Sequence, residues 1–439
     1  MMKPGSKGQR PPRRGATAEN TADQGAPPPR LGPRPLPLHL MSAMTAWLSS
    51  RAALPVLMSD WLQSKPVLVP PIAPALTQKF AAAARELAGL LADVAPDAFA
   101  DALDRELRGR ADLFLRGLET YRHHPYARAV AEPPVIWREG TTRLLDYAPA
   151  GGVPVLVVPS LINRAYILDL DVERSLLRYL AQHGLRPLLV DWDKPGPVER
   201  GFTLTDYIAG RLDAAFEAAI TLVGAPLGVL GYCMGGLLAL ALAQRRKREV
   251  AALALLATPW DFHAEQLGQA RVLGALAGLA DAGFASLGEL PVDVLQALFF
   301  SLDPLLALRK FSRFAALDPA SAEAREFVAL EDWLNDGVAL ALPVARESLG
   351  YWYGENQPGR GAWRVAGAAI APAHFDRPAL VVVPARDRIV PPASAVALAN
   401  ALPNARRLDP PLGHIGMIVG RHAEQAVWRP LAGWLRSQR

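Results

Sequence analysis

The sequence predicts an α/β fold: a mostly parallel sheet with helices on both faces and a helical cap inserted after the sixth strand. Three observations carry this. Between residues 153 and 256, short apolar runs alternate with helical stretches, as in sheets built from strand–helix–strand units. Within that stretch, Leu227-Gly-Val-Leu230 leads through a tight turn, Gly231 to Gly236, straight into a helix of Leu, Ala and Gln. After Thr258-Pro259 the alternation stops, and it resumes at Ala379.

The chain of 439 residues, 51% of them apolar, is long enough to bury a large core. Residues 1–37 are rich in Pro, Gly and Arg and cannot bury enough surface to order themselves, so they read as a disordered basic tail. Seven basic residues against Glu19 and Asp23 place the whole net charge of +5 in this tail. The remainder is neutral and gives no case for nucleic-acid binding. Residues 38–125 read as an N-terminal helical region. It holds an apolar stretch Leu38–Trp61 broken at Pro55, expected to pack on the body, then a linker from Pro66 to Pro74. Amphipathic helices over Thr77–Leu91 and Pro96–Arg122 complete it. The α/β core is expected over 126–260 and 376–439. There, a hairpin around Gly140 joins Val135–Arg138 to Arg143–Tyr147. Strands follow at Val155–Val158, Leu185–Val190, Leu227–Leu230 and Val250–Leu256. Helices over Val172–Gln182, Leu204–Val223 and Leu237–Arg245 separate them. Residues 261–375, helical, irregular and aromatic, form the cap. Ala379–Val383 returns as a strand, before a helix at 393–402, a short strand near 406–408 and a last helix from Glu424.

Several classes are disfavoured. One cysteine permits no intrachain disulfide and suits a cytoplasmic protein. The first 30 residues lack the apolar core of a secretory signal, and no run of about 18 uncharged apolar residues offers a transmembrane segment. His123 and His124 are adjacent but have no third ligand at useful spacing, so no metal site is read there; they look structural or solvent-exposed. Neither a Walker loop nor G-x-G-x-x-G is present, and no cofactor is implied.

The chemistry centres on Gly231-Tyr-Cys-Met-Gly235. Strand, sharp turn and helix resemble the nucleophile elbow of the α/β-hydrolase fold, where G-x-S-x-G exposes a serine at the top of the sheet. Here the nucleophile position is Cys233, the only cysteine in the chain. A lone cysteine is more often a small buried hydrophobe, so its partners decide. Hydrolase triads run nucleophile, acid, histidine in chain order. Asp387 follows the strand Val381-Val382-Val383, and His414 lies on the loop Gly413-His414-Ile415-Gly416. All three candidates fall at strand carboxyl ends, where open α/β sheets gather their catalytic groups. For Asp387 the competing reading is a helix N-cap; among the other histidines His263 is a second-tier candidate. The oxyanion hole is expected from the backbone N–H of Met234 and from Leu161, with Ile162 close behind.

Several stretches together resemble the polyhydroxyalkanoate synthases, cysteine-dependent members of the α/β-hydrolase superfamily. They are Val158-Pro-Ser-Leu-Ile-Asn-Arg-Ala-Tyr-Ile-Leu-Asp-Leu170, Asp191-Trp192 with Leu204-Thr-Asp-Tyr-Ile208, Gly231-Tyr-Cys-Met-Gly-Gly236, Asp387-Arg-Ile-Val-Pro-Pro392 and Gly413-His-Ile-Gly-Met417. The resemblance covers roughly 100–435. The box continues Gly-Gly-Leu-Leu where that family usually has Gly-Gly-Thr, and the cap matches least well. The long N-terminal domain of the larger classes is not apparent, and the chain resembles the shorter classes that work with a second subunit. The resemblance implies an acyltransferase that polymerises (3R)-hydroxyacyl-CoA into polyester, releasing CoA through an acyl thioester on Cys233. Its implied partners are the hydroxyacyl-CoA, the growing polyester chain, a homodimer mate and a second synthase subunit. Its implied place of work is the cytoplasm, at polyester granules. The alternatives are an intracellular polyester depolymerase or thioesterase on the same triad, and a non-enzymatic granule-associated subunit.

Overall fold

A computed structural model describes residues 29–52, 86, 89–90, 94–265 and 267–438. Among these the central sheet has eight strands: β1 (Val135–Glu139), β2 (Thr142–Asp146), β3 (Val153–Val158), β4 (Leu185–Asp191), β5 (Leu227–Tyr232), β6 (Val250–Leu256), β7 (Ala379–Val382) and β8 (Ala405–Leu408). Their order is β1-β2-β4-β3-β5-β6-β7-β8. The β1–β2 hairpin turns at Gly140, whose φ is +54°, and β2 joins β4 antiparallel; from β4 to β8 the ladder is parallel. The inner strands are buried on both faces, so they read as unbroken apolar runs; every residue of β5 is buried. The edge strand β8 instead carries exposed Arg406 and Arg407, charges that discourage edge pairing. The chain steps to one side of β3 with β4 and to the other with β5, which places a topological switch, and hence a crevice, at the carboxyl ends of these strands.

Helices cover both faces. On one, α4 (Asp213–Val223) and α5 (Met234–Arg245) pack a core that runs into the cap. On the other, α3 (Leu176–Gln182) and the terminal helix over Arg429–Arg436 pack a second core. Two helices differ from expectation. The helix expected from Val172 starts at Leu176, because Asp171 Oδ1 accepts the amides of Glu173 and Arg174 to make a turn, and Ser175 caps the helix by accepting from Arg178 N. The helix expected over Leu204–Val223 opens with a π-turn, Asp206–Leu212, which carries buried Arg211 to Glu199 at 3.0 Å.

The expected insertion lies between β6 and β7. It contains α6 (Leu267–Phe284), α7 (Val292–Phe300), α8 (Leu306–Phe314), α9 (Ala322–Asn335) and a π-turn at Glu347–Gly354. Of the N-terminal region, α1 (Leu36–Ala52) and α2 (Pro96–His123) are described. The break at Pro55, Trp61 and the linker 66–74 lie outside the described residues, as does nearly all of 77–91. Residues 1–28 of the basic tail lie outside them too. The tail's last part departs from expectation. Arg30 Nε pairs with Asp332 at 2.6 Å, Arg34 N donates to Asn335 Oδ1, and α1 already begins at Leu36. Ala43 of α1 joins Phe114, Tyr121, Phe311 and Phe314 in a third core against α2, α8 and α9. None of the described helices is long and apolar enough to cross a membrane.

Candidate active site

Cys233 sits at the junction of β5 and α5 with φ 55° and ψ −129°. That conformation is costly for a residue with a side chain, and the surroundings hold it. Cys233 N donates to Leu256 O, and Gly236 N donates to Cys233 O, both at 2.9 Å. The glycines around it have specific reasons. A Cβ on Gly231 would lie 2.4 Å from Gly236 Cα, and one on Gly235 would lie 2.2 Å from Val158 O. A Cβ on Gly236 would strike Thr258 Oγ1. Strand, helix and neighbouring loop can meet only because these side chains are missing. The result is a half-buried sulfur at the sheet's carboxyl rim, at the N-terminus of α5, where the helix dipole favours negative charge.

The other two candidates meet beside it. Asp387 follows β7, and its Oδ2 lies 2.7 Å from His414 Nδ1. Its Oδ1 accepts the amides of Ile389 and Val390 at 2.8 and 2.9 Å. Asp387 is not the helix N-cap weighed for it, since the following helix begins at Pro392 behind Pro391 with no side-chain cap; its second oxygen instead closes a turn ahead of that helix. His414 is 7% exposed. Burial alone would lower its pKa, but the charges of Cys233 and Asp387, with the hydrogen bond to Asp387, overcome this and push it up to about 10. Tyr232 was not foreseen. Buried next to Cys233, it donates its hydroxyl to the backbone carbonyl of His414 at 3.2 Å, with the two rings 5.2 Å apart. Burial, then the negative charges of Cys233 and Asp387, raise its phenol well above the usual range and keep it a donor. Sequence offers no signal for this contact, since any aromatic after Gly231 would read as strand core.

The loop after β3 is clamped from both sides. Trp192 Nε1 donates to Pro159 O at 3.1 Å from the sheet side; Trp333 Nε1 donates to Arg164 O at 2.8 Å from the cap. Between them, Asn163 adopts φ 65°. Of the two amides expected here, Ile162 N is taken by Ser160 Oγ at 3.0 Å. The amides of Leu161 and Met234 have no hydrogen-bond partner among the described residues. The contact of Gly235 with Val158 and Pro159 sets these two stretches against each other.

The remaining histidines are held elsewhere. His263 Nε2 meets Tyr353 O at 2.9 Å, a tie within the cap. His124 is buried against Pro319 O, while its neighbour His123 is exposed beside Glu119. No group of three His, Cys, Asp or Glu among the described residues is placed to hold a metal ion.

A family model described as the alpha/beta hydrolase fold matches residues 153–421, well over half of the chain. The poly(3-hydroxyalkanoate) polymerase subunit PhaC of Synechocystis sp. is 31% identical over 64% of this chain and 77% of its own length. The chain belongs to the PhaC family, on the α/β-hydrolase fold. PhaC subunits of Haloarcula marismortui and Haloferax mediterranei are 28% and 27% identical, each over 68% of this chain. The match spans 66% and 63% of the lengths of these two relatives.

In this PhaC-family chain the cap roofs the rim. Asn356 latches it where it leaves the sheet: its Oδ1 accepts Phe262 N at 2.9 Å and its Nδ2 donates to Asp261 Oδ1 at 2.8 Å. Under the roof lies an apolar chamber of about 100 Å³. Ile162, Pro259, Ile389 and Val390 form its floor, from the loops after β3, β6 and β7.

Proposed function

We propose that the protein is a polyhydroxyalkanoate synthase-type acyltransferase that polymerises (3R)-hydroxyacyl-CoA. One observation carries the reading most: the buried His414 imidazole is held at 2.7 Å by the Asp387 carboxylate, while Tyr232, the residue before Cys233, donates to the His414 carbonyl. The thiolate of Cys233 attacks the thioester carbonyl. The amides of Met234 and Leu161 receive the oxyanion. The C–S bond to CoA breaks, the CoA sulfur leaves with the proton from His414, and the acyl group remains as a thioester on Cys233. His414 then takes the proton of an incoming 3-hydroxyl, whose oxygen attacks that thioester. An ester forms and the Cys233 thiolate returns. A thioester intermediate keeps the acyl group activated for an alcohol, which a serine ester would not. The cap limits water, the competing nucleophile.

The reading extends to a growing polyester chain as second substrate, to the granule surface as the place of reaction, and to a homodimer mate and a second synthase subunit as partners. The test is CoA release and polymer formation from 3-hydroxybutyryl-CoA, with and without a candidate second subunit. Polymer with CoA release is expected. Free acid without polymer would convert the reading to a hydrolase, and polymer made by Cys233→Ala would end it.

A further inference from the structure

We infer that the chamber under the cap seats the acyl unit carried at the site, and that the Ser348 hydroxyl hydrogen-bonds an oxygen of that unit, selecting hydroxyacyl over plain acyl groups. This rests on the acyl-transfer reading above and adds to it a specificity residue. The placement rests on loops shared with the site. Asp387 Oδ1 is bound by the amides of Ile389 and Val390, and both residues line the chamber floor. Ile162, one residue from Leu161, lines it too. Tyr353 stands on the cap side, and the charge of Cys233 reaches its phenol. The chamber therefore lies among the loops that carry Leu161 and Asp387, beside the site, although Cys233 and His414 do not themselves line it. Its size is of the order of cavities that admit a benzene-sized ligand, room for a short aliphatic unit.

Most lining groups are apolar; Ser394 Oγ and Asp261 Oδ1 are already bonded within the fold, and Ser348 stands out. It is 7% exposed, lines the chamber, and its Oγ has no hydrogen-bond partner among the described residues. A serine on a helix normally turns to solvent or bonds back to a carbonyl one turn earlier. Ser348 does neither. It lies in the π-turn Glu347–Gly354, an insertion that interrupts the regular ladder and recurs at functional sites. A buried hydroxyl left unpaired is a cost that a ligand oxygen would remove. A hydroxyacyl unit brings such oxygens, as its 3-hydroxyl or as the ester carbonyl of the unit before it; an unsubstituted acyl chain of equal length does not.

The test follows acylation of Cys233 by intact-protein mass spectrometry, with 3-hydroxybutyryl-CoA and butyryl-CoA as competing donors. Ser348→Ala should lower the preference for the hydroxyacyl donor by roughly tenfold, the scale of one hydrogen bond, with an unchanged unfolding temperature. Ala270→Leu, which narrows the chamber from α6, should slow 3-hydroxyhexanoyl-CoA more than 3-hydroxybutyryl-CoA. Normal acylation with unaltered preferences in both variants would overturn the chamber assignment and leave the acyl-transfer reading standing. No acylation of the unmodified protein by any donor would remove that reading, and this inference with it.

Discussion

Asp387 divides its carboxylate between two tasks: Oδ2 meets His414 Nδ1 at 2.7 Å, while Oδ1 closes a turn on the amides of Ile389 and Val390. The two oxygens make separable predictions. Asp387→Asn keeps an acceptor for the turn but loses the charge that orients the imidazole, so stability should hold while acyl transfer falls by about three to four orders of magnitude. Asp387→Ala should lose the turn as well and cost about 1–2 kcal/mol of stability. Urea unfolding beside CoA-release rates separates the two. Equal rates in Asp387→Asn and the unmodified protein would remove the acid from the site.

The charge on His414 predicts a pH dependence. Its folded pKa, about 10, lies above its ordinary 6.5. The stabilisation it provides is therefore complete below pH 6.5 and is lost as pH rises towards 10. Cys233→Ala removes one of the two charges that raise it, so the loss should still begin above pH 6.5 but be smaller and finish at lower pH. Unfolding midpoints across this range test the point; superimposable profiles for the two proteins would contradict it.

Tyr232 holds the backbone of His414 and touches neither substrate nor sulfur in the mechanism above, so it is a positioning residue. Tyr232→Phe should lower kcat severalfold while leaving KM nearly unchanged, and should broaden the His414 ring signals in NMR. A change in KM alone would speak against this role.

Trp192 ties the loop of Leu161 to the sheet through Pro159 O. Trp192→Phe keeps most of the buried area and deletes the donor, at a cost of about 1 kcal/mol. If that loop supplies an oxyanion amide, kcat should fall further than stability accounts for. Comparing the variant well below its unfolding temperature isolates the effect.

Much of this arrangement was legible in the residue order. Gly231, Gly235 and Gly236 are informative because only their missing side chains let β5, α5 and the loop after β3 touch, and chain order then points to Asp387 and His414. What stayed hidden has a common cause. The capture of the Ile162 amide by Ser160 Oγ could not be read from the pattern, and the late start of α3 depends on Asp171 and Ser175 outcompeting an apolar pattern. The role of Tyr232 depends on a loop about 180 residues away. Each is a local hydrogen bond that apolar periodicity does not record. The grip of Arg30 on Asp332 was hidden for the opposite reason: a tail of Pro, Gly and Arg reads as solvated unless a distant carboxylate awaits it.

That grip sets where mechanical and thermal disturbance would travel. Residues 29–52 fasten to α2, α8 and α9, so shortening the chain ahead of α2 should leave the eight strands intact and slacken the roof. Because Trp333 of α9 also grips Arg164, one end of the protein is wired to the loop expected to cradle the developing negative charge, and a fusion or cleavage there would be felt as lost turnover before it was felt as lost structure.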